Sequence, residues 1–362
     1  MAPPWWVARR FLYFFIIRVF EYIIVGHGLA GSALAHRLLS MGKKIRVFDA
    51  GFPNSASEVS VGLVNPLIGP KLNPPHKIFE CLEENNQFFQ TCENRWEDSF
   101  YSSIPLHRIF ISEKQKDRWF ELMKDQKYAQ FTGKFLTSED CKKRGMNAPF
   151  GAGLTKRAYQ LNVSAFLNAS KQYLVNNDSW ESKKFDLEEY NDEQKIIFCE
   201  GFRVIDNPLF NHLPFAPARG ETLQIKTMVK TPMSNGSWYL PDGVGCALIG
   251  STWDHENILS GPTKEGKNEI IEKCNFIKIQ EEQIEEGFSG VRSGTRDRNP
   301  IMGVHPAKNN YFLFNGFGSR GTSTIPYYSK KMIDFIIHKK ELPKEVNLQR
   351  FENKIFLIHE TD

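Results

Sequence analysis

The chain has 362 residues, of which 41% are apolar and 13% aromatic, enough for two domains or for one large domain with an insert. A net charge of only +4 gives no general indication that the protein binds nucleic acid. The six cysteines are scattered without a C-x-x-C pair, which argues against a zinc site or a disulfide framework and favours a reducing compartment. We therefore expect a cytoplasmic protein that holds no metal.

Residues 1–20 are predicted to be an N-terminal extension outside the functional fold. Arg9 and Arg10 precede a short apolar run that Arg18 interrupts, and this run is far shorter than the roughly twenty apolar residues of a membrane span. No small-residue cleavage site of a signal peptide follows it. An interfacial anchor is the alternative interpretation, but we do not expect the extension to contact a membrane.

The stretch from Glu21 to Asp49 has the order strand, glycine turn, helix and strand. Its first strand is a β-branched apolar run of the kind that is buried in a parallel sheet. The turn has the G-x-G-x-x-G pattern, which permits a tight bend and brings backbone N–H groups at a helix N-terminus close to a diphosphate. An acid at the end of the next strand is placed to bind a ribose hydroxyl. The stretch predicts a dinucleotide site formed by Gly26, Gly28, Leu29, Ala30, Gly31, Asp49 and Ala50.

A polar loop of small residues follows from Asn54 to Gly69. A segment that leaves the second strand of such a fold passes the phosphates and the ring of the cofactor. Serine hydroxyls there can donate to phosphate, and glycine lets the backbone lie close to a flat ring. We therefore add Ser57, Gly62 and Leu63 to the predicted cofactor site.

Further elements follow from the spacing of apolar residues. Helices are predicted over 78–100, 114–125 (with Trp119 on an exposed charged helix), 163–174 with Asn162 as N-cap, 264–283 and 325–337. Strands are predicted over 106–112, 195–201 and 311–315, and short runs at 222–226, 238–241 and 246–252 indicate an antiparallel sheet.

Six motifs occur in one order along the chain and together carry a family resemblance. They are the first glycine turn, Ala56-Ser57 with Gly62-Leu-Val-Asn-Pro66, Gly220-Glu221, Gly250-Ser-Thr252, Gly290-Val-Arg-Ser-Gly-Thr-Arg-Asp-Arg-Asn-Pro300 and Asn315-Gly-Phe-Gly-Ser-Arg-Gly321. The set resembles the D-amino-acid-oxidase-like FAD-dependent oxidoreductases, the superfamily of glycine oxidase and sarcosine oxidase. It is most similar to the oxidase half of the bifunctional tRNA wobble-uridine modification enzymes.

The resemblance implies an α/β fold with a Rossmann-like FAD-binding domain that is discontinuous in sequence. An α+β substrate domain built on an antiparallel sheet would complete it. We expect the FAD domain in residues 21–80, 150–215 and 287–345, and the substrate domain in residues 81–149 and 216–286. Residues 346–362 would form a C-terminal tail.

The resemblance also assigns roles to single residues. The first turn would hold the diphosphate of FAD, and Asp49 the adenosine ribose, although relatives usually have a glutamate there. Arg292 matches the residue that binds the substrate carboxylate in glycine oxidase, and Arg320 is a second candidate. The alternative for Arg292, Arg296 and Arg298 is ordinary ion pairing with Asp297. The second turn would face the isoalloxazine through Gly316, Gly318, Ser319, Gly321 and Thr322.

The resulting hypothesis is an FAD-dependent oxidoreductase that oxidises a C–N bond of an amino acid or secondary amine by hydride transfer to flavin N5. Its substrate would be a small carboxylated amine, and no dedicated base is needed. One alternative is a stand-alone tRNA wobble-uridine side-chain oxidase that removes a carboxymethyl group, with tRNA as partner. Its basic rim would draw on Lys71, Lys77, Arg108, Lys142, Lys143 and Arg144. The second alternative is a non-catalytic dinucleotide-binding protein.

Overall fold

The computed structural model describes residues 20–190 and 193–351, so the predictions for residues 1–19 and 352–362 lie outside the described residues. The chain divides into two compact units. The first unit contains the described residues of Met1–Ser55, Ser164–Pro217 and Ser293–Asp362. The second unit contains Ala56–Val163 and Ala218–Arg292.

The described chain contains seventeen strands and seven α-helices. The strands are β1 (Tyr22–Val25), β2 (Ile45–Phe48), β3 (Leu63–Val64), β4 (Tyr101–Ser103), β5 (Leu106–Ile109), β6 (Thr132–Leu136), β7 (Ala152–Thr155), β8 (Tyr159–Leu161), β9 (Trp180–Glu181), β10 (Lys195–Phe198), β11 (Ala218–Lys226), β12 (Met233–Ser234), β13 (Trp238–Pro241), β14 (Cys246–Gly250), β15 (Ile284–Arg292), β16 (Ile301–His305) and β17 (Lys308–Asn315). The helices are α1 (Leu29–Ser40), α2 (Ile78–Trp96), α3 (Glu113–Lys124), α4 (Ser138–Lys142), α5 (Val163–Asn176), α6 (Lys264–Lys273) and α7 (Gly321–His338).

The first unit is built on a six-stranded sheet in the order β16-β17-β10-β1-β2-β9. All neighbouring pairs are parallel except β16 with β17. The four residues of β1 are all buried, as expected for a central parallel strand covered on both faces. Helices α1 and α7 pack together, and the Arg37 guanidinium of α1 donates to Ser329 Oγ at 2.8 Å and to the Pro326 carbonyl at 2.9 Å.

The second unit contains an eight-stranded sheet in the order β15-β11-β14-β13-β12-β5-β7-β6 and a three-stranded sheet in the order β3-β8-β4. Most of its pairs are antiparallel, and β12 with β5 is a parallel exception. A core of buried aliphatic residues, including Ile249 and Ile270, joins the large sheet to α6. The predicted α/β class, with a parallel nucleotide-binding sheet and a large antiparallel sheet, is confirmed.

Two local predictions are wrong. Helix α6 ends at Lys273 instead of continuing to residue 283, because the chain turns inward to bury Phe276 and Ile277. The Asn235 side chain donates to the Lys273 carbonyl at 3.0 Å, which satisfies one carbonyl at the helix end. Trp119 is not on an exposed surface: it is 0% exposed and lies so close to Gly153 that a Cβ there would sit 2.2 Å from the indole.

The unit boundaries differ from the expected domain boundaries. The second unit begins at Ala56 and not at residue 81, because β3 pairs with β8 through Leu63 and Gln160. The second unit also includes residues up to Val163, whereas we expected the FAD-binding domain to begin again at residue 150. The expected tail from residue 346 packs into the first unit, where Leu348 and Phe351 belong to the buried core.

This packing makes a testable prediction. Leu348 is 2% exposed, so Leu348→Ala should lower the free energy of unfolding by about 2–5 kcal/mol, because it removes buried methyl groups and leaves a cavity. The neighbouring exposed Gln349 supplies the control, since Gln349→Ala should change it by less than about 0.5 kcal/mol. Urea denaturation followed by circular dichroism measures both, and equal effects would show that residues 346–351 behave as a tail.

Candidate functional site

The first glycine turn connects β1 to α1 in the first unit. Gly26 has φ +98°, in the left-handed region, and a Cβ there would lie 2.5 Å from the Cys199 carbonyl oxygen. A Cβ on Gly31 would lie 1.9 Å from the Gly26 carbonyl oxygen. Only glycine fits at these two positions, so the turn stays tight and α1 begins close to the sheet.

The N-terminus of α1 has features of an anion site. Its N-cap is Gly28, no side chain caps it, and no acidic residue lies in its first turn. The first N–H groups of a helix have no intrahelical acceptor and carry the positive end of the helix dipole. Elsewhere in the chain Ser112, Thr137 and Thr263 cap their helices with side-chain oxygens. A helix start whose N-cap is glycine, with no acid in its first turn, has the character of a diphosphate site.

Asp49 connects two backbone segments next to this turn. Its Oδ2 accepts a hydrogen bond from the His27 backbone N–H at 2.6 Å, and its Oδ1 accepts from the Gly51 N–H at 2.7 Å. A carboxylate oxygen has two lone pairs, so both oxygens keep acceptor capacity for a ribose hydroxyl. Asp49 thus has a structural role that the spacing of the motif does not reveal.

The His27 side chain points into the unit. Its Nε2 lies 3.0 Å from Ser170 Oγ, and its ring meets Trp180 edge-on with centroids 4.9 Å apart. Burial lowers the pKa of His27 to about 4, so the imidazole is neutral at physiological pH. His27 is therefore a packing residue of the turn.

The second glycine turn follows β17. Gly316 has φ +84° and Gly318 has φ +56°, and a Cβ on Gly316 would lie 2.7 Å from the Thr295 methyl group. The Asn315 side chain accepts from the Gly316 N–H at 2.8 Å and donates to the Gly201 carbonyl at 2.8 Å. Helix α7 begins after this turn with no side-chain cap and no acid in its first turn, so its start resembles that of α1.

The two turns lie at one edge of the sheet. Strands β1, β10 and β17 are adjacent and parallel, so their carboxyl ends meet at the same edge. The turns that follow β1 and β17 are separated by two strand spacings, roughly 10 Å. Ligands of open α/β sheets bind outside the carboxyl ends of the strands, and both uncapped helices begin here.

Glu200 lies between the two turns and was missed by the sequence analysis. It follows β10 at the same sheet edge, and its Oε2 accepts from Asn207 Nδ2 at 2.7 Å. Burial raises the pKa of Glu200 from 4.5 to about 7, partly opposed by the hydrogen bond from Asn207. An acid directly after a predicted buried strand was the available signal, but the sequence does not show how far the loop buries it.

Other predicted cofactor residues lie in the second unit. Gly62 has φ +66°, and a Cβ there would lie 1.8 Å from the Leu161 carbonyl oxygen. The close approach of β8 is therefore sufficient to require glycine. Leu63 opens β3, and Ser57 lies in the loop before it.

Arg292 is the last residue of β15, and its guanidinium is largely buried. Nη1 donates to the Thr252 carbonyl at 3.1 Å, and Nη2 donates to Ser251 Oγ at 2.9 Å. The Cζ atom lies 4.7 Å from the centroid of the Trp253 ring. A Cβ on Gly220 would lie 2.0 Å from Nη2, so this glycine makes room for the guanidinium.

Arg292 and its neighbour Arg219 differ in the partners of their guanidinium groups. Arg219 forms ion pairs with Glu221 at 3.0 Å and Asp254 at 2.9 Å. Among the described residues, no carboxylate lies within 4.0 Å of the Arg292 guanidinium, and its hydrogen-bond acceptors are neutral oxygens. Burial lowers the pKa of Arg292 to about 10, so the group is still charged at neutral pH. A buried cation without an anion fits a negatively charged ligand.

Asp297 and Arg320 have structural partners. Asp297, proposed above as a partner of Arg292, pairs instead with Arg350, whose Nε lies 2.9 Å from Asp297 Oδ2. Arg320 donates to the Arg298 carbonyl. Within the part of the chain that the structure describes, no three His, Cys, Asp or Glu side chains are grouped to hold a metal ion. Across residues 20–190 and 193–351, no helix has the length and apolar character needed to cross a bilayer.

A parallel sheet with two uncapped helix starts at its carboxyl edge defines a dinucleotide-binding protein. Comparison with known proteins specifies it further: the chain belongs to the DAO family of FAD-dependent oxidoreductases, whose family model matches residues 21–334. The protein is therefore an FAD-dependent oxidoreductase, and the bare helix starts and glycine turns fit FAD. Membership in an enzyme family decides against the non-catalytic alternative.

The sequence relatives are distant. Glycine oxidase of Bacillus licheniformis is 19% identical over 348 residues, which cover 88% of this chain and 93% of the relative. The tRNA 5-methylaminomethyl-2-thiouridine biosynthesis bifunctional protein of Marinobacter nauticus is 23% identical over 359 residues and covers 87% of this chain. The match spans 55% of that bifunctional protein, about half its length.

Solved structures share the fold at low identity. Glycine oxidase from Bacillus cereus superposes with a TM-score of 0.75 at 19% identity, covering 89% of this chain and 96% of that one. Iminodiacetate oxidase from Chelativorans superposes with a TM-score of 0.75 at 15% identity, covering 90% of this chain and 97% of that one.

The geometry of the first turn predicts an effect on flavin retention. Gly26→Ala should lose most of its FAD, because the new Cβ meets the Cys199 carbonyl and forces the turn away from the start of α1. Gly42→Ala is a matched control, since Gly42 also has a positive φ of +71° but has nothing within 4 Å of its Cβ position and lies beyond the far end of α1. The ratio of flavin to protein absorbance after gel filtration measures retention, and equal ratios in the two variants would contradict the role of the turn.

The pKa of Glu200 predicts a pH dependence of stability. The folded protein holds the proton of the Glu200 carboxyl group more tightly than the unfolded chain does. The contribution of Glu200 to the free energy of unfolding is therefore complete below about pH 4.5 and is lost as the pH rises through about 7. Glu200→Gln cannot ionise and should remove this loss. Urea denaturation of both proteins across this pH window measures it, and parallel pH profiles would disprove the burial effect.

Proposed function

We propose that the protein oxidises the C–N bond of a small amine that carries a carboxylate, either an amino acid or a secondary amine. The observation that carries this proposal is the buried Arg292 guanidinium without an anionic partner among the described residues. Sequence relatives and fold neighbours that include glycine oxidases and an iminodiacetate oxidase support the same substrate chemistry. When bound, FAD would supply the acceptor for the hydride.

The donors of Arg292 support binding of a carboxylate. A guanidinium has five N–H groups, and the hydrogen bonds to Thr252 and Ser251 occupy one on Nη1 and one on Nη2. A further contact places Nη1 at 3.5 Å from the Arg219 carbonyl. Nε has no acceptor among the described residues, so Nε–H and the second Nη2 proton remain for a ligand. Two adjacent N–H groups bind a carboxylate in parallel hydrogen bonds, which fixes its orientation as well as its position.

The remaining task of the protein is to bind the amine in its neutral form. Hydride then leaves the carbon, the nitrogen proton passes to water, and hydrolysis of the imine releases the products. This scheme needs no side-chain base, and the neutral, inward-facing His27 is consistent with that. Orientation by Arg292 is the main contribution that we assign to a side chain.

Removal of a carboxymethyl group from a tRNA wobble uridine is a second candidate function. The similarity to the bifunctional tRNA-modifying protein favours it, because that match covers 87% of this chain. The structure removes one residue from the expected basic rim, since Arg108 is 2% exposed. Binding of tRNA with an affinity that falls steeply as the salt concentration rises would support this candidate. Contacts to phosphates release counterions, and added salt opposes that release.

We also propose that the protein works in a reducing compartment, consistent with the predicted cytoplasmic location. All six cysteines lie in the described residues and are thiols. Burial raises the pKa of Cys141 to about 11 and that of Cys274 to about 12, which makes these thiols unreactive.

The proposed role of Arg292 is tested by Arg292→Ala. This variant should raise KM for sarcosine by about 30-fold or more, because a desolvated charge-assisted pair is lost. Flavin content should stay unchanged, since Arg292 is not among the predicted cofactor residues. Anaerobic bleaching of the flavin absorbance by sarcosine measures the change.

Arg320→Ala is the control, because its guanidinium donates to the Arg298 carbonyl. It should leave KM within about threefold of the wild-type value. Equal losses of flavin and of substrate binding in Arg292→Ala would refute the carboxylate role.

A further inference from the structure

Trp253 is a large aromatic side chain that the fold leaves accessible. It is 49% exposed, although its ring covers the guanidinium of Arg292 at 4.7 Å. Its indole N–H donates to His255 Nε2 at 2.7 Å, so the polar edge of the ring has a partner. The exposed part of the indole is available to a ligand that binds the cation beside it.

The backbone on both sides of Trp253 is rigidly held. Arg219 N–H donates to the Asp254 carbonyl at 2.8 Å, and Asp254 N–H donates to the Arg219 carbonyl at 3.0 Å. The ion pair between the same two side chains adds to this bridge at 2.9 Å. Before Trp253, the Thr252 hydroxyl accepts from the Glu221 N–H at 2.9 Å. The position of the indole is therefore fixed by the sheet, which is the arrangement expected of a recognition residue.

The geometry of Arg292 relates Trp253 to the ligand. A carboxylate held in two parallel hydrogen bonds lies in the plane of the guanidinium. The carbon and nitrogen substituents next to that carboxylate then lie within a few ångströms of Cζ, the atom from which the indole centroid is 4.7 Å away. A ligand that satisfies Arg292 thus brings its neighbouring group to the edge or face of Trp253.

We infer that Trp253 determines specificity, and that the substrate accepted at Arg292 carries a planar unsaturated ring on or beside its amine. Contact between a ring and an indole contributes more than the burial of an aliphatic group of equal area. The inference rests on the proposed function, because it needs Arg292 to bind the carboxylate. Trp253 takes no part in making or breaking bonds. A simple amino acid such as glycine would leave most of the indole uncovered.

The first test uses carboxylates that cannot be oxidised, so it does not depend on turnover. The flavin-loaded enzyme is titrated with acetate and with phenylacetate while the flavin absorbance is recorded. The wild type should bind phenylacetate roughly tenfold more tightly than acetate. Trp253→Leu should reduce this ratio to about twofold, because leucine fills the space without a ring. Trp253→Phe keeps a ring and should retain most of the preference.

The second test measures oxidation by anaerobic bleaching with sarcosine and with N-benzylglycine. N-Benzylglycine should have the lower apparent Kd for flavin reduction in the wild type, and Trp253→Leu should raise that Kd roughly tenfold while changing the limiting rate of reduction by less. A merely structural role would instead lower the flavin content and affect both substrates equally. Three results of the first test would overturn the inference. The wild type could bind phenylacetate and acetate equally well, or Trp253→Leu could leave the ratio of the two affinities unchanged. The third is a ratio in Trp253→Phe as low as that in Trp253→Leu.

The two proposals fail in different ways. If sarcosine bleaches the flavin and no ring preference appears, the oxidase function stands and the role of Trp253 is wrong. If the ring preference appears in the titration but no carboxylated amine bleaches the flavin, ring recognition stands and the oxidase function is wrong.

Discussion

The parallel alignment of β1, β10 and β17 is the constraint on which the nucleotide-binding unit depends. Parallel pairing brings the carboxyl ends of three strands, separated by about 170 and 110 residues in sequence, to one edge of the sheet. Strands β1 and β17 each end in a glycine turn that leads into a helix whose N-cap residue makes no side-chain capping hydrogen bond. Positive helix ends at this edge attract an anionic ligand, and FAD carries negative charge on its diphosphate.

The second unit shows how one sheet treats two arginines differently. Arg219 and Arg292 belong to the paired strands β11 and β15; Arg219 is buried and Arg292 is half-buried. Arg219 is neutralised by Glu221 and Asp254, so it stabilises the chain around itself. Arg292 has neutral acceptors, and burial lowers its pKa without removing its charge. The ion pairs of Arg219 also hold the segment that places Trp253 over Arg292, so the structural arginine positions the one that is available for a ligand.

Several residues have a different role from the one that their motif implies. Asp49 accepts from two backbone N–H groups in addition to any ribose contact, and Gly62 is required by the approach of Leu161. Arg108 is buried and donates to the Gly69 carbonyl at 3.2 Å, so it cannot belong to a surface rim. For Gly62 and Arg108, the neighbour that explains the residue comes from a distant part of the chain.

The sequence by itself determined the features that depend on near neighbours: the bounds of β1, the glycine turns and the family resemblance. These follow from periodicity, from backbone angles that only glycine adopts easily, and from an ordered set of motifs. The end of α6, the buried position of Trp119, the inclusion of residues 56–80 in the second unit and the burial of Glu200 were decided by tertiary structure. The physical reason is that burial and pairing depend on which distant segments meet, and that information is not local in the sequence.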